Sequence, residues 1–310
     1  MIKKTVAFCN PAYLSLKNKQ LVIKAPVAKN AETPDSSESE VIRTIPIEDI
    51  GVVILENKQI TITNALLEAL LDNNCAVLSC NSSMMPAGLF LPLYGNTVQN
   101  ERFTCQINAS APLKKQLWQQ TVQCKIINQA KVLSKVSSAD VSVMHKWAEQ
   151  VQSGDVANKE ARAAAYYWKN LFSDIKGFTR NQDGESPNNL LNYGYAILRA
   201  VIARSLVGSG MLPTLGIHHH NRYNAFCLAD DIMEPYRPFV DQIVVEILNS
   251  GADCTELTTE LKRKLLTIPA IDVTINGNKS PLMLAATTTT ASLYKCFNRE
   301  LRKIIYPIIT

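Results

Sequence analysis

The feature that most constrains the fold is a change in residue pattern about one third of the way along the chain. Before about Leu93, short segments rich in β-branched residues alternate with turn residues, which is typical of strands. After Pro112, apolar residues recur at spacings of three and four, which is typical of amphipathic helices. The pattern predicts an α+β protein, in which a small N-terminal β-rich domain precedes a larger all-α C-terminal domain.

The same change in pattern predicts the domain boundaries. We place the β-rich domain at residues 1–95, a linker at residues 96–111 and the helical domain at residues 112–310. A chain of 310 residues has room for both domains, and its 46% hydrophobic content supports a buried core. These values exclude a disordered, collagen-like or coiled-coil protein.

In the first domain, two pairs of strand-like segments flank candidate turns. LSLKN and QLVIK flank Asn18-Lys19, and VVILE and ITIT flank Asn57-Lys58. CAVLSC, at residues 75–80, is typical of a further, buried strand.

Helical patterns occur once in the first domain and throughout the second. TNALLEALLDNN predicts a short helix that is capped by Thr63 or Asn64, whereas the polar stretch 28–40 is predicted to be a mobile insertion between strands. VTING, at residues 273–277, predicts a small β excursion. The helices predicted in the second domain cover residues 113–136, 159–172, 190–210, 238–251, 258–268 and 281–305.

Positive charge is concentrated in the helical domain. The first 100 residues contain eight of the 32 Lys and Arg and nine of the 27 Asp and Glu, so they carry −1 and the remainder carries +6. A basic domain beside a neutral one favours a phosphate-bearing partner, although a solvated lysine face gives the same count.

The sequence also indicates where the protein is located. MIKKTVAFCN lacks the apolar stretch of a signal peptide, and no run of about 18 apolar residues indicates a membrane span. None of the eight cysteines forms a CxxC pair, which argues against that kind of zinc site. We therefore expect a cytoplasmic protein with reduced thiols and no membrane association.

Three clusters contain residues that could carry chemistry. In the first, Glu160 lies near a predicted helix start among small residues, where it could serve a site or only complement the helix dipole. In the second, His218, His219 and His220 are adjacent, and because consecutive side chains diverge, at most two of them can face one site. The alternative for these histidines is a polar loop without a metal.

The third cluster is acidic. Asp231 and Glu234 are three residues apart and therefore share a helix face, and Arg237 lies three residues further on. The alternative is a structural salt bridge at a helix end. Taken together, carboxylates and one imidazole suit Mg²⁺ or Mn²⁺, and in a basic helical domain this set suggests phosphodiester chemistry on nucleic acid.

Six strings carry a resemblance to a known family. They are IPIEDIGVVILE (45–56), the LW–KIINQA pattern (117–130), GDVANKEARAAAYYWKNLF (154–172), PNNLLNYGYAILRA (187–200), LGIHH (215–219) and DDIMEPYRP (230–238). In this order, they resemble the CRISPR-associated adaptation integrase, the first-numbered Cas protein, in the form found in type II systems and type II-C in particular.

The resemblance implies a β domain that forms a homodimer and a helical domain that acts as a metal-dependent DNA endonuclease and integrase of spacer acquisition. Two such dimers are implied to flank a dimer of the second-numbered Cas protein and to hold a prespacer duplex. The 3′-hydroxyls of that duplex attack the repeat borders of the CRISPR array. The effector nuclease and other adaptation proteins of the system are further expected partners.

The resemblance also implies the site residues. By position in the strings, the catalytic and metal-binding set is Glu160, His219 and Glu234, and Asp231 is a possible second carboxylate. His218 and His220 have no counterpart. Candidates for DNA phosphate contacts, each of which could instead be ion-paired, are Arg162, Arg180, Arg199, Arg204, Arg222 and Arg237.

Two other functions stay open at this point. One is a non-catalytic DNA-binding scaffold that retains the fold. The other is a structure-specific nuclease that acts alone in DNA repair.

Overall fold

The computed structural model describes residues 3–25, 41–82, 85–181 and 184–310. The chain divides into two compact units, Met1–Leu93 and Tyr94–Thr310. The first is rich in strands and the second is mostly helical, so the predicted α+β fold class and order of domains are confirmed. The predicted mobile insertion at residues 28–40 lies outside the described residues.

Two four-stranded sheets and one helix form the described part of the first unit. In chain order the elements are β1 (Lys4–Phe8), β2 (Ala12–Lys17), β3 (Gln20–Ala25), β4 (Val41–Pro46), β5 (Ile50–Leu55), β6 (Ile60–Ile62), α1 (Asn64–Asp72), β7 (Ala76–Cys80) and β8 (Pro86–Phe90). One sheet has the order β1-β5-β7-β8, with β8 antiparallel to its neighbour, and the other has the order β4-β3-β2-β6. Strand β5 is buried along nearly its whole length, as expected for an interior strand with both faces covered.

The first of the two predicted turns joins paired strands, and the second does not. Asn18 and Lys19 have φ values of 51° and 57° and link β2 to β3 as an antiparallel hairpin, which agrees with the prediction. The chain also turns after Asn57, but there β5 pairs with β1 and β7 while β6 pairs in parallel with β2. The second turn is therefore a crossing between sheets.

The core of the first unit is apolar. Side chains from both sheets and from α1 form one buried cluster. Its fully buried members are Leu14, Leu21, Ile50, Val53, Leu66, Leu70, Cys75 and Val77.

The second unit is built around one long helix. Its elements are α2 (Gln99–Ile107), α3 (Ala111–Val136), α4 (Ser142–Glu149), α5 (Lys159–Leu171), α6 (Asn188–Gly208), α7 (Cys227–Met233), α8 (Arg237–Asn249), α9 (Thr259–Leu265), β9 (Asp272–Ile275), β10 (Asn278–Pro281) and α10 (Leu282–Phe297). Helix α3 packs against α4, α5, α7 and α8 and buries residues on all sides, including the polar Thr121, Lys125 and Asn128. Such buried polar groups need partners, and these partners define the site described below.

The segment predicted to be a linker, residues 96–111, is different in the structure. It contains helix α2 and belongs to the second unit, which begins at Tyr94. Gln106 is buried on α2, donates to the carbonyl of Leu212 at 2.9 Å and accepts from the Leu212 N–H at 2.9 Å. The physical reason for the difference is this pairing with a segment more than 100 residues away, which local composition does not reveal.

One helix in the described part of the chain, α6, is long and apolar enough to cross a membrane by length and composition. However, 83% of its most apolar stretch is buried inside the protein. It packs against α7, α8 and α10, as the core helix of a globular unit does.

Candidate active site

Glu160 is held at the start of α5 by a buried cap. The Asp155 carboxylate accepts the backbone N–H groups of Lys159 and Glu160, both at 2.9 Å. Asp155 itself follows Gly154, and both residues have positive φ, at 50° and 75° respectively. The cap satisfies two of the free donors at the helix start, so the backbone of Glu160 is fixed by the GD pair of the GDVAN loop.

A buried lysine joins Glu160 to Glu234. Nζ of Lys125, on α3, lies 2.6 Å from Oε1 of Glu160 and 2.6 Å from Oε2 of Glu234. Burial alone lowers the pKa of Lys125, but the charges of Glu234 and Glu160 more than reverse this, so that its pKa lies above its ordinary value. The two carboxylates therefore share one cation in a site with little solvent.

Glu234 has a second cationic partner. It lies in a short 3-10 helix, Glu234–Tyr236, between α7 and α8, and its Oε1 accepts from Nε of Arg237 at 2.8 Å. Burial opposes ionisation of Glu234, but Arg237 and Lys125 lower its pKa to about 2. The guanidinium of Arg237 in turn lies over the Tyr195 ring, 4.6 Å from its centroid.

His219 is oriented by Asp231, which is fully buried on α7. Oδ1 of Asp231 lies 2.5 Å from Nδ1 of His219. This hydrogen bond, despite partial burial of the ring, raises the pKa of His219, and the charges of Glu234 and Glu160 add to the effect. A carboxylate on Nδ1 leaves Nε2 as the nitrogen that is available to a ligand.

Asp231 also shapes the loop that carries the histidines. Its carboxylate accepts the backbone N–H groups of Ile217 at 2.7 Å, His218 at 2.9 Å and His219 at 3.2 Å. A Cβ on Gly216 would meet the carbonyl of His219 and lie 2.8 Å from Oδ2 of Asp231, so only glycine fits there. The loop conformation is thus set by one glycine and one buried carboxylate.

A tryptophan ring on α3 packs against the loop that carries the histidines. The ring of Trp118, on α3, stacks on His218 with centroids 4.1 Å apart and packs edge-on against His219 at 5.5 Å. Trp118 and Lys125 are seven residues apart, which places them on one face of α3. The histidine loop and the Glu160–Lys125–Glu234 group therefore lie along the same helix face.

The four predicted site residues are brought together to different degrees. Glu160 and Glu234 meet at Lys125, His219 is within electrostatic reach of both, and Asp231 is fully engaged with the loop. In the described part of the chain, no three His, Cys, Asp or Glu side chains are close enough together to hold a metal ion as they stand. The salt bridge that the sequence offered as an alternative is also present, between Arg237 and Glu234.

The residues nevertheless fit a divalent cation. Carboxylate oxygens with one imidazole nitrogen are a donor set suited to Mg²⁺ or Mn²⁺. The ammonium of Lys125 already stands between the two carboxylates as a positive charge. Oε2 of Glu234 is buried and 2.6 Å from that ammonium, and it has no partner with hydrogen-bond geometry among the described residues.

The six arginines differ in accessibility. Arg204 is only 7% exposed, which corrects the prediction that it contacts DNA, because α6 is a core helix. Arg237 is committed to Glu234, and Arg180 donates to Asn188 and Asn192. Arg199 is paired with Asp230 but keeps a side chain that is 42% exposed. Arg162 and Arg222 are exposed, and each lies over an aromatic ring.

With this geometry established, comparison with known proteins decides the family. The sequence profile described as "CRISPR associated protein Cas1" matches residues 6–269. The chain belongs to the Cas1 family. The resemblance found in the six strings is thereby confirmed.

Relatives of this Cas1 chain include curated proteins from bacteria and archaea. It is 40% identical over 268 residues to the CRISPR-associated endonuclease Cas1 of Neisseria meningitidis serogroup C, which covers 86% of this chain and 83% of the relative. It is 28% identical to a CRISPR-associated endonuclease Cas1 of Pyrobaculum aerophilum, over 77% of this chain and 85% of the relative.

Solved structures share the fold at low sequence identity. A casposase bound to integration product has a TM-score of 0.79 and 18% identity, over 97% of this chain and 92% of the casposase. A Cas1 protein from Thermotoga maritima has a TM-score of 0.73 and 15% identity, over 95% and 97% of the two chains. A Cas6-RT-Cas1–Cas2 complex contains a chain with a TM-score of 0.75 and 17% identity, which covers all of this chain and 36% of that one.

The structure adds residues that sequence reasoning missed. Lys125 is 35 residues before Glu160 and Asp155 is five before it, and neither is among the predicted site residues. The sequence does contain a signal for Lys125: it lies in the KIINQA string and follows Trp118 by two helical turns. A lysine on a helix face that otherwise reads as core is typical of a buried ion pair.

Proposed function

We propose that this Cas1 protein is the metal-dependent endonuclease and integrase of CRISPR adaptation, in a type II-C system of a bacterial cytoplasm. It joins the 3′-hydroxyl ends of a prespacer to the repeat borders of the array. The reaction is a transesterification, in which one phosphorus–oxygen bond forms as another breaks, so no ATP is required. Water in place of the hydroxyl gives hydrolysis by the same site.

The observation that carries the proposal is the acidic pair beside an oriented imidazole. Glu160 and Glu234 face one cation from separate helices, and Asp231 presents Nε2 of His219 on the same face of α3. Glu160, Glu234 and His219 would hold Mg²⁺ or Mn²⁺. When bound there, such an ion activates the attacking hydroxyl and stabilises charge on the scissile phosphate.

The protein's own side chains have distinct tasks in this scheme. Asp155 and Asp231 fix the backbone of Glu160 and the ring of His219, which reduces the reorganisation that catalysis requires. Arg237 and Lys125 outweigh the effect of burial and lower the pKa of Glu234 to about 2, which favours an ionised carboxylate at neutral pH. Asp231 is assigned to positioning because four protein groups already fill its two oxygens.

The partners are double-stranded DNA and the second-numbered Cas protein, Cas2. Support comes from two structures of similar fold, a casposase bound to integration product and a Cas6-RT-Cas1–Cas2 complex. We propose a homodimer formed through the β-rich unit, with two dimers in each integration complex, and the effector nuclease and other adaptation proteins as further partners. Arg162 and Arg222, which are exposed, and Arg199, whose side chain is 42% exposed, are candidates for phosphate contacts.

A strand-transfer assay tests the proposal. The protein is incubated with Cas2, a short duplex and a supercoiled plasmid that carries the repeat, in Mg²⁺ or Mn²⁺. Wild type is expected to join the duplex to the plasmid, and Glu160→Gln, Glu234→Gln and His219→Ala are expected to abolish joining. EDTA is expected to abolish it in wild type.

Matched controls come from α4. Glu149→Gln and His145→Ala change the same residue types away from the site and are expected to retain strand transfer. Joining that persists in the three site variants would contradict the site assignment. Cleavage of branched DNA without joining would favour the repair nuclease, and DNA binding without any change to the plasmid would favour the scaffold.

A further inference from the structure

Lys125 occupies the position between the two carboxylates that the proposed function assigns to a metal ion. Its ammonium is 2.6 Å from an oxygen of each, and its side chain is only 10% exposed. A surface ion pair contributes little to stability and moves freely, but two carboxylates that converge in a buried site need a cation between them. Lys125 therefore supplies the charge that keeps Glu160 and Glu234 together without metal.

Both oxygens of Glu234 already face a cation. Oε1 is taken by Arg237 at 2.8 Å and Oε2 by Lys125 at 2.6 Å. A divalent ion that binds this carboxylate must approach one of these two positive charges closely, and like charges at such distances repel strongly in a buried site. One of the two side chains therefore has to move.

The structure favours Lys125 as the side chain that moves. Arg237 bonds to one proposed ligand and is also held over the Tyr195 ring. Lys125 instead bridges both proposed ligands, so its ammonium stands in the place where an ion shared by Glu160 and Glu234 would be. Its four-carbon stem also permits rotation away from the pair, whereas a planar guanidinium that is stacked on a ring is fixed.

We propose that Lys125 is a built-in competitor of the metal: its ammonium holds the Glu160–Glu234 pair in the metal-free protein and is displaced when a divalent cation binds. Lys125 is a positioning residue in this scheme, because it acts through the two carboxylates. Its charge sets how tightly the site takes up metal. This inference rests on the proposed function.

Mn²⁺ binding to the full-length protein tests it without reference to catalysis. Free Mn²⁺ is titrated by its electron paramagnetic resonance signal in the presence of wild type, Lys125→Met and Lys125→Arg. Met keeps the stem of Lys125 and removes its charge, whereas Arg keeps the charge. We expect Lys125→Met to lower the Mn²⁺ Kd by about tenfold, because removal of a like charge at contact distance favours the cation, and Lys125→Arg to leave it unchanged or raise it.

Thermal unfolding supplies the second readout. Metal-free Lys125→Met is expected to melt below wild type because its two carboxylates lack a shared cation, and saturating Mn²⁺ is expected to raise its Tm by more than it raises that of wild type. If Lys125→Met does not fold, Lys125→Gln, which is neutral but polar, takes its place. A lysine with a purely structural role would lower Tm without changing the Mn²⁺ Kd.

The outcomes separate this inference from the proposed function. Mn²⁺ binding that is lost in Glu160→Gln and Glu234→Gln but is unchanged or weaker in Lys125→Met would overturn the competitor role and leave the metal site intact. Mn²⁺ binding that is unaffected by either glutamate variant would overturn the proposed site and this inference with it.

Discussion

The two units of this Cas1 protein are stabilised by different kinds of core. Among the described residues of the first unit, Glu56 is the one charged side chain in the interior, and apolar side chains supply the rest. The interior of the second unit contains Lys125, Asp231, Glu234 and Asp241, among many other polar groups. Buried charge opposes folding unless it is paired, so its concentration in one unit indicates where the chemistry is.

Because their cores differ, the two units are expected to tolerate different substitutions. An apolar core is stable when its side chains fill the available volume with complementary shapes. A core that contains charges is stable only when each charged group keeps its partner. Four substitutions test this contrast, from the largest expected effect to the smallest.

Glu234→Ala is expected to have the largest effect on stability. The substitution removes the carboxylate that pairs with both Lys125 and Arg237, which stay buried. Removal of one partner from a buried ion pair costs about 3–5 kcal/mol. Urea unfolding of the second unit measures this. Glu149→Ala, at an exposed position on α4, is the control and is expected to change stability little. Equal stabilities of the two variants would contradict a charge-dependent core.

Leu14→Ala is expected to destabilise the first unit. Leu14 is fully buried, and loss of its side chain leaves a cavity worth about 3 kcal/mol. Hydrogen exchange is expected to quicken across β2, β3 and α1. Strong protection of the amides of α3 and α6 is expected to remain. Loss of protection in both units would show that the two cores do not unfold independently.

Asp241→Asn is expected to change the pH dependence of stability. Asp241 is buried and accepts from Tyr195 at 2.5 Å and Tyr167 at 2.9 Å, and burial raises its pKa from 3.8 to about 6. Its folded form thus holds a proton more tightly than its unfolded form. The stabilising contribution is present below pH 3.8 and is lost as the pH rises through about 6.

Wild type is therefore expected to lose on the order of 2–3 kcal/mol relative to Asp241→Asn between pH 4 and pH 7. Urea unfolding of both proteins across this range measures the difference, and groups common to both cancel in the subtraction. A constant difference over the whole range would show that Asp241 keeps an ordinary pKa.

Asp155→Ala is expected to have the smallest effect on stability and a specific effect on the site. Removal of a helix cap costs about 1 kcal/mol. Ser110→Ala is the control, because it removes the side-chain cap of another helix, α3, where Ser110 accepts from the Leu113 N–H at 3.4 Å. Both variants are expected to lose similar stability, but only Asp155→Ala is expected to slow strand transfer. Equal rates of strand transfer by the two variants would contradict a role of Asp155 in the site.

The sequence predicted what local patterns determine. The Asn18-Lys19 hairpin follows from the two strand-like segments that flank a two-residue turn, and the spans of α3, α5 and α8 follow from apolar periodicity. The positions of Glu160, His219 and Glu234 came from family strings. Their catalytic and metal-binding roles stay predictions.

Long-range pairing explains the rest. That β5 and β6 lie in different sheets depends on β1, β2 and β7, which are distant in sequence. Helix α2 resembles a linker in sequence because its partners, Leu212 and α10, are more than 100 residues away. Lys125 resembles a core position because the two carboxylates that pair with it come from two other segments. No window of local sequence contains both halves of these contacts.

Because Trp118 stacks on His218, the fluorescence of Trp118 can report on the histidine loop. Indole fluorescence depends on the groups in contact with the ring, and Trp118, which stacks on His218, is one of only three tryptophans in the chain. With Trp147 and Trp168 replaced by Phe, the remaining emission would come from beneath the loop that carries His219. Any ligand that lifts or tightens this loop would then change the brightness of the protein, so the site could be followed in real time without an added label.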